Sequence, residues 1–161
     1  MMEIRKAAAE DLTQILAVYE YARNFMAQNG NPNQWRKGYP WPDMLQEDID
    51  TGRLYVVTQA GEICGVFAFI PGVDPTYGYI EGRWHSDTPY AAVHRVASNG
   101  KAKGIMAACI EYCAARCSHL RMDTYKDNHI MQRALEKQGF AYCGIIYLET
   151  GSPRMAYDRV R

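Results

Sequence analysis

His94-Arg95-Val96-Ala97-Ser98-Asn99-Gly100-Lys101-Ala102-Lys103-Gly104-Ile105-Met106 reads as a strand that ends in a small, basic, glycine-bearing turn and opens a helix. The first amides of a helix have no partner within it. With the macrodipole, worth about half a positive charge, they make a seat for phosphate. Gly100 and Gly104 let the backbone turn sharply and approach a ligand closely, and Lys101 and Lys103 add positive charge. The turn is not a Walker loop. No glycine stands at the required spacing before Gly100-Lys101, and no Ser or Thr follows Lys101. It is not a Rossmann fingerprint either, because no G-x-G precedes the helix.

Outward from this stretch, hydrophobic period and turn residues divide the chain into short alternating elements. Strands are expected over residues 3–6, 54–58, 63–70, 77–81, 91–97, 120–123, 142–148 and 154–160. Leu12, Ile15, Leu16, Tyr19, Ala22 and Met26 recur at helical spacing, and Asn29-Gly30 stops that helix. Further helices are expected over 43–50, 103–117 and 128–138. Gly139 followed by Phe140 fits a Schellman-type stop for the last. The order is β-α-α-β-β-β-β-α-β-α-β-β. This predicts an α/β (α+β) fold, a mixed and mostly antiparallel sheet of about seven strands with about four helices on its two faces.

The 161 residues fit a single domain, 1–161. Eighteen basic and eighteen acidic side chains cancel, which argues against a generalist nucleic-acid binder. The cancellation is between parts. Residues 1–93 carry seven basic and twelve acidic side chains, and residues 94–137 carry eight and four. The basic part contains the phosphate turn, so two partners of opposite charge are expected. No stretch approaches the ~20 apolar residues of a membrane span. Five cysteines and a charged start without a signal peptide predict reduced thiols and a cytoplasmic protein. Cys109, Cys113 and Cys117 recur every four residues with His119 nearby, but no C-x-x-C pair is present. They read as small core side chains and no metal is expected.

Two more segments carry a resemblance. Leu120-Arg121-Met122-Asp123-Thr124 leads within four residues to Asn128, followed by Leu135-Glu136-Lys137 and Gly139-Phe140. With Ile4-Arg5-Lys6-Ala7-Ala8-Ala9-Glu10-Asp11-Leu12 and the turn above, the chain resembles the GNAT family of acetyl-CoA-dependent N-acetyltransferases from residue 2 to about residue 160. The resemblance implies that the family's pyrophosphate loop falls on Lys101, Ala102, Lys103, Gly104, Ile105 and Met106. It implies that backbone groups of Val96 and Ala97 pair with the pantetheine arm, and that the Asn128 side chain contacts that arm. Lys101 stands where Arg or Gln is usual, Met106 where a small residue is usual, and Leu135 where a tyrosine often serves as general acid.

The implied reaction is attack of a primary amine, on a small molecule or a peptide N-terminus, on the acetyl thioester. An ammonium near pKa 10.4 must first lose its proton, at a cost of ~4–5 kcal/mol at neutral pH. His94 and Glu81 are the candidate bases. Each has a plain alternative, a packed strand histidine and a solvated strand-end charge. Asp123 is a further carboxylate, or a structural acceptor. Trp35, Tyr39 and Trp41 either wall the acceptor site or plug the core, and Arg83, Trp84 and His85 either border that pocket or lie on the surface. A CoA-binding module with little catalysis is the alternative function, favoured by Leu135 and Met106. The sequence leaves the oligomeric state open, with a homodimer through a sheet edge or the C-terminus as one option.

Overall fold

The computed structural model describes residues 1–161. Eight strands form one sheet: β1 (Met2–Lys6), β2 (Leu54–Gln59), β3 (Glu62–Pro71), β4 (Glu81–Gly82), β5 (Ala91–Ser98), β6 (His119–Thr124), β7 (Ala141–Tyr147) and β8 (Pro153–Val160). Four α-helices accompany them: α1 (Leu12–Gln28), α2 (Pro42–Asp50), α3 (Ile105–Ala114) and α4 (His129–Lys137). The strand order is β1-β2-β3-β5-β6-β8-β7-β4, and every neighbouring pair but β5 and β6 is antiparallel. The order of elements is as expected, with eight strands rather than seven in the sheet.

Local chemistry accounts for the boundaries. Ala60 and Gly61 both have positive φ, so β2 and β3 meet in a tight hairpin whose turn matches strand twist. Gly139, at φ +87°, ends α4, with Gly139 N–H donating to Glu136 and Phe140 N–H to Leu135. That is the Schellman pair, and Phe140 then packs in the core beside Leu135. No helix is long and apolar enough to cross a membrane.

Two cores sandwich the sheet. Ile15, Val18, Tyr19 and Ala22 of α1 and Leu45 of α2 pack on one face, against Leu54, Val56, Val66, Ala68 and Ala97. Ile105, Cys109, Ile110 and Cys113 of α3 and Leu135 of α4 pack on the other, with Val57, Phe67, Val93 and Leu120. Cys109 and Cys113 are fully buried, as their helical spacing predicts.

One prediction failed. Residues 77–81 do not form a strand. The Asp74 side chain accepts from the Thr76 amide, Pro75 fixes the first turn, and residues 75–77 form a 3₁₀ turn instead. Only Glu81 and Gly82 pair, and they pair with β7 at the outer edge of the sheet.

Candidate active site

β5 and β6 run parallel through two residue pairs only, Ala91 with Leu120 and Ala92 with Arg121. Beyond these pairs they part. The cause lies in β5, where Arg95 and Val96 together face Phe67 of β3. Such a bulge bends its strand and increases its twist. Arg95 sits at φ +54°, which costs a non-glycine residue energy, and the surroundings hold it there. The Tyr19 hydroxyl donates to the Arg95 carbonyl at 2.8 Å, and the Arg95 guanidinium pairs with buried Asp48 of α2. Asp48 also takes Arg53 at 3.2 Å.

The parting strands open a cleft of about 260 Å³. Val96, Ala97 and Ser98 form one wall, Tyr21, Phe25 and Met26 of α1 a second, and the starts of α3 and α4 the rest. It is largely apolar. At its end lies the basic turn. Gly104 caps α3 at φ +81°, and Gly100 lies so close to Tyr21 that a Cβ there would stand 2.3 Å from its hydroxyl. The backbone amides of residues 102 to 107 find no acceptor in the protein, whereas those of Gly100 and Lys101 are taken by Ser98 and Asn99. Six free amides beside exposed Lys101 and Lys103 make an anion cradle at the mouth of an apolar slot. Met106 lines the slot with its side chain and leaves its own amide free, so the larger residue does not remove a donor.

Asn128 also lines the cleft and caps α4, its Oδ1 accepting from the Met131 amide at 3.0 Å. Its Nδ2 donates to Gln34 of the loop between α1 and α2, also at 3.0 Å. Trp35, Tyr39 and Trp41 follow Gln34 in an aromatic chain. Trp35 meets the ring of Tyr19 at 5.7 Å, Tyr39 meets Trp35 at 5.9 Å, and Trp41 meets Tyr39 at 6.1 Å. Trp35 packs on the α1 core, as a plug would, while Trp41 is 42% exposed.

A second cluster occupies the crotch where β5 and β6 separate. His94 Nε2 lies 2.8 Å from Asp74 Oδ2, and Nδ1 lies 4.0 Å from Asp123 Oδ2 on β6. The Tyr77 hydroxyl donates to the same Asp123 oxygen at 2.6 Å. All four side chains are mostly buried. With Nε2–H donating to Asp74, the His94 Nδ1 keeps a free lone pair toward the gap. Burial opposes ionisation of Asp74, but hydrogen bonds from His94 and Thr76 outweigh it and hold the carboxyl at about 2. Burial, then the Asp123 charge, pushes the Tyr77 phenol well up.

The Asp74 shift has a consequence for stability. A carboxyl whose folded pKa is depressed stabilises the fold above its unfolded value, near 4, and loses that contribution as pH falls toward 2. The contribution is about 2 kcal/mol at most. Thermal melts of wild type and Asp74→Asn should therefore differ most above pH 5 and converge as the pH drops to 2.5.

Glu81 stands on the strand before β5 in the chain, yet far from it in the sheet. It lies on β4, three strands from β6 or about 14 Å at ordinary strand spacing. It is exposed and accepts from the Tyr147 hydroxyl at 2.7 Å. This placement fits a solvated strand-end charge and separates Glu81 from His94. The carboxylates that do adjoin His94 are Asp74 and Asp123. Glu81→Gln should change turnover less than about twofold, as for a surface charge, in a steady-state assay. Leu135, seven residues after Asn128, is fully buried in the core.

Trp84 and His85 are anchors for the segment after β4. The Trp84 indole donates to the Tyr77 carbonyl at 3.2 Å, and Arg121 lies over its ring. His85, Cys143 and Asp158 bring ligand-type atoms within 4.8 Å of one another. Asp158 there already accepts the His85 amide, His85 Nδ1 and His119 Nε2. Burial and the neighbouring carboxylate push the Cys143 thiol up to about 12, so it is a protonated partner of this tie and not a nucleophile.

A strand, a bulge, an amide cradle and a helix start thus meet at a split between two parallel strands. A family description, Acetyltransferase (GNAT) family, matches residues 16–140. The chain belongs to the GNAT acetyltransferase family, whose co-substrate is acetyl-CoA. It is similar to a GNAT-family acetyltransferase from Streptococcus agalactiae 2603, with 30% identity over 99% of this chain and 95% of that one, at TM-score 0.89. Two solved chains at lower identity share the fold. One, from Staphylococcus aureus MU50, has 24% identity, coverage of 98% and 97%, and TM-score 0.71. The other, from Bacillus cereus ATCC 10987, has 18% identity, coverage of 100% and 98%, and TM-score 0.66. No protein of curated function matches the chain.

The sequence reading missed Asp74, Tyr77, Gln34 and the Asp48–Arg95 pair. Asp74-Pro75 carries a local signal, a capping residue before proline. The other contacts join residues far apart in the chain and have no local signal.

Proposed function

We propose that the protein transfers the acetyl group of acetyl-CoA to a primary amine by direct attack, with residues 1–161 as one catalytic domain. The observation that carries this is the pair of clusters on either side of one strand. An anion cradle ends the cleft along β5, and a histidine between two carboxylates stands where that strand leaves β6.

The amides of residues 102 to 107 bind the diphosphate, with Lys101 and Lys103 adding charge. Backbone groups of Val96 and Ala97 hold the extended arm, because β5 has no partner strand on that side. Asn128 contributes its remaining amide hydrogen. Asp74 and Asp123 attract the ammonium of the acceptor and raise its local concentration. His94 Nδ1 and Asp123 Oδ2, 4.0 Å apart, can both be reached by one nitrogen at about 2.9 Å from each. His94 then takes the proton, and Asp74 steadies the imidazolium that forms. An amide on the bulge of β5 faces the developing oxyanion. The departing thiolate has a conjugate acid near pKa 8.5 and leaves without a proton donor, which fits a leucine at 135.

The same leucine favours a second reading, a module that binds acetyl-CoA without turnover. Isothermal titration with acetyl-CoA tests the cradle, and no binding at millimolar ligand would exclude both readings. Release of free thiol in the presence of a panel of small amines and peptide N-termini separates them. Thiol release that depends on the amine supports the transferase, and binding without release supports the module.

A further inference from the structure

Gln34 stands between the two halves of the site. Its Oε1 accepts from Asn128 at 3.0 Å, from Asn31 at 2.8 Å and from Thr124 at 3.5 Å. Its carbonyl oxygen accepts from Arg154 at the start of β8 at 3.3 Å. The loop that carries Trp35 is thus tied to the cap of α4 and to the ends of β6 and β8, across the mouth of the split.

These bonds fix the orientation of Asn128. Its Oδ1 is committed to the Met131 amide and one Nδ2 hydrogen to Gln34. A flipped amide would set two acceptors against each other and two donors against each other. The second Nδ2 hydrogen is therefore held in one direction on a residue that lines the cleft. A second buried side chain bonds to Gln34 and is left partly unsatisfied. Asn31 is 3% exposed, and its Oδ1 has no partner at all. Buried acceptors without partners are rare in folded proteins, and this one leaves the loop's tie to Gln34 with bonding capacity to spare.

We propose that Gln34 is a positioning residue that couples occupancy of the cofactor cleft to the order of the acceptor loop. It aims Asn128 at the cofactor arm. In return, an arm bound at Asn128 stabilises the Gln34 bond and with it the loop from Asn31 to Trp41. The coupling is reciprocal, so whatever occupies the cleft also prepares the acceptor wall. This rests on the reading of the cleft as the coenzyme A site.

The loop supplies its own reporter. Arg36 and Lys37 are exposed, two and three residues after Gln34, and offer trypsin two bonds. Coenzyme A alone, titrated by calorimetry, should slow cleavage after Arg36 and Lys37 in the wild type. Gln34→Leu should bind coenzyme A about fivefold more weakly, as for one lost hydrogen bond, and at saturation should show no protection of the loop. Gln34→Glu keeps an acceptor oxygen for all three donors and should restore most of the protection. Failure of coenzyme A to bind the wild type would overturn the cleft assignment itself. Binding with no change in cleavage, or equal protection in wild type and Gln34→Leu, would overturn the coupling alone. The wild-type measurement stands even if Gln34→Leu folds poorly.

Discussion

Replacing His94 with alanine should lower kcat with acetyl-CoA and an amine by about 10²- to 10⁴-fold, the range over which a positioned base contributes. The KM for acetyl-CoA should hardly move, because His94 lies at the crotch of β5 and β6 and the cradle lies beyond the bulge. The decisive measurement is the pH profile. In wild type His94 Nδ1 takes the amine's proton, so the rate should not wait on the amine's own ionisation. In His94→Ala only the acceptor's own ionisation remains, and the profile should climb until the amine itself is deprotonated. Asp74→Asn should fall between the two, since it removes the charge that orients the ring at 2.8 Å but leaves the ring in place. A His94→Ala variant with full turnover across pH would refute the assignment.

The second large effect is on stability. Asp48→Ala should destabilise the fold by about 3–5 kcal/mol, the cost of leaving a buried charge without its partner. Asp48 is 4% exposed and serves two guanidinium groups, those of Arg95 and Arg53. For a chain of this size the melting temperature should fall by roughly 10 °C or more. The pair of Arg5 and Asp11, in which the arginine is half exposed, gives the contrast. Arg5 is 49% exposed, and Asp11→Ala removes a solvent-screened attraction of about 1 kcal/mol or less, plus the bond Asp11 accepts from the Ala8 amide. A thermal melt of both variants separates the cases. If Asp48→Ala melted with wild type, the bulge at Arg95 would not depend on that pair. If it melts early but remains folded at 20 °C, a raised KM for acetyl-CoA would show that the clamp shapes the cleft as well.

Most of the frame could be read from local pattern. Helical period located α1 and α3, the turn chemistry at Ala60-Gly61 and Gly139-Phe140 located two stops, and the basic turn before α3 located the cradle. These signals are local because a helix or a turn closes its hydrogen bonds within a few residues. The site at the crotch is assembled otherwise. Asp74 reaches His94 from twenty residues away and Tyr77 reaches Asp123 from forty-six. The distance of Glu81 from His94 has no local marker for the same reason. Glu81 precedes β5 closely in the chain, yet the chain crosses to the far edge and returns, and strand neighbours are not written in a strand's own pattern. The positive φ at Arg95 had no marker either, since arginine ordinarily avoids it and only the Tyr19 and Asp48 contacts enforce it.

The split between β5 and β6 also bears on how such a chain can vary. An unpaired strand edge is normally confined to the rim of a sheet, where it invites other chains. Here an edge is kept in the middle, within a cleft walled by α1, α3 and α4. Recognition through that edge uses peptide groups, which every residue but proline carries. Substitution can then change nearly all the side chains around the split without erasing what the split offers. Solved relatives of the same shape at 18% to 30% identity are what such a design permits.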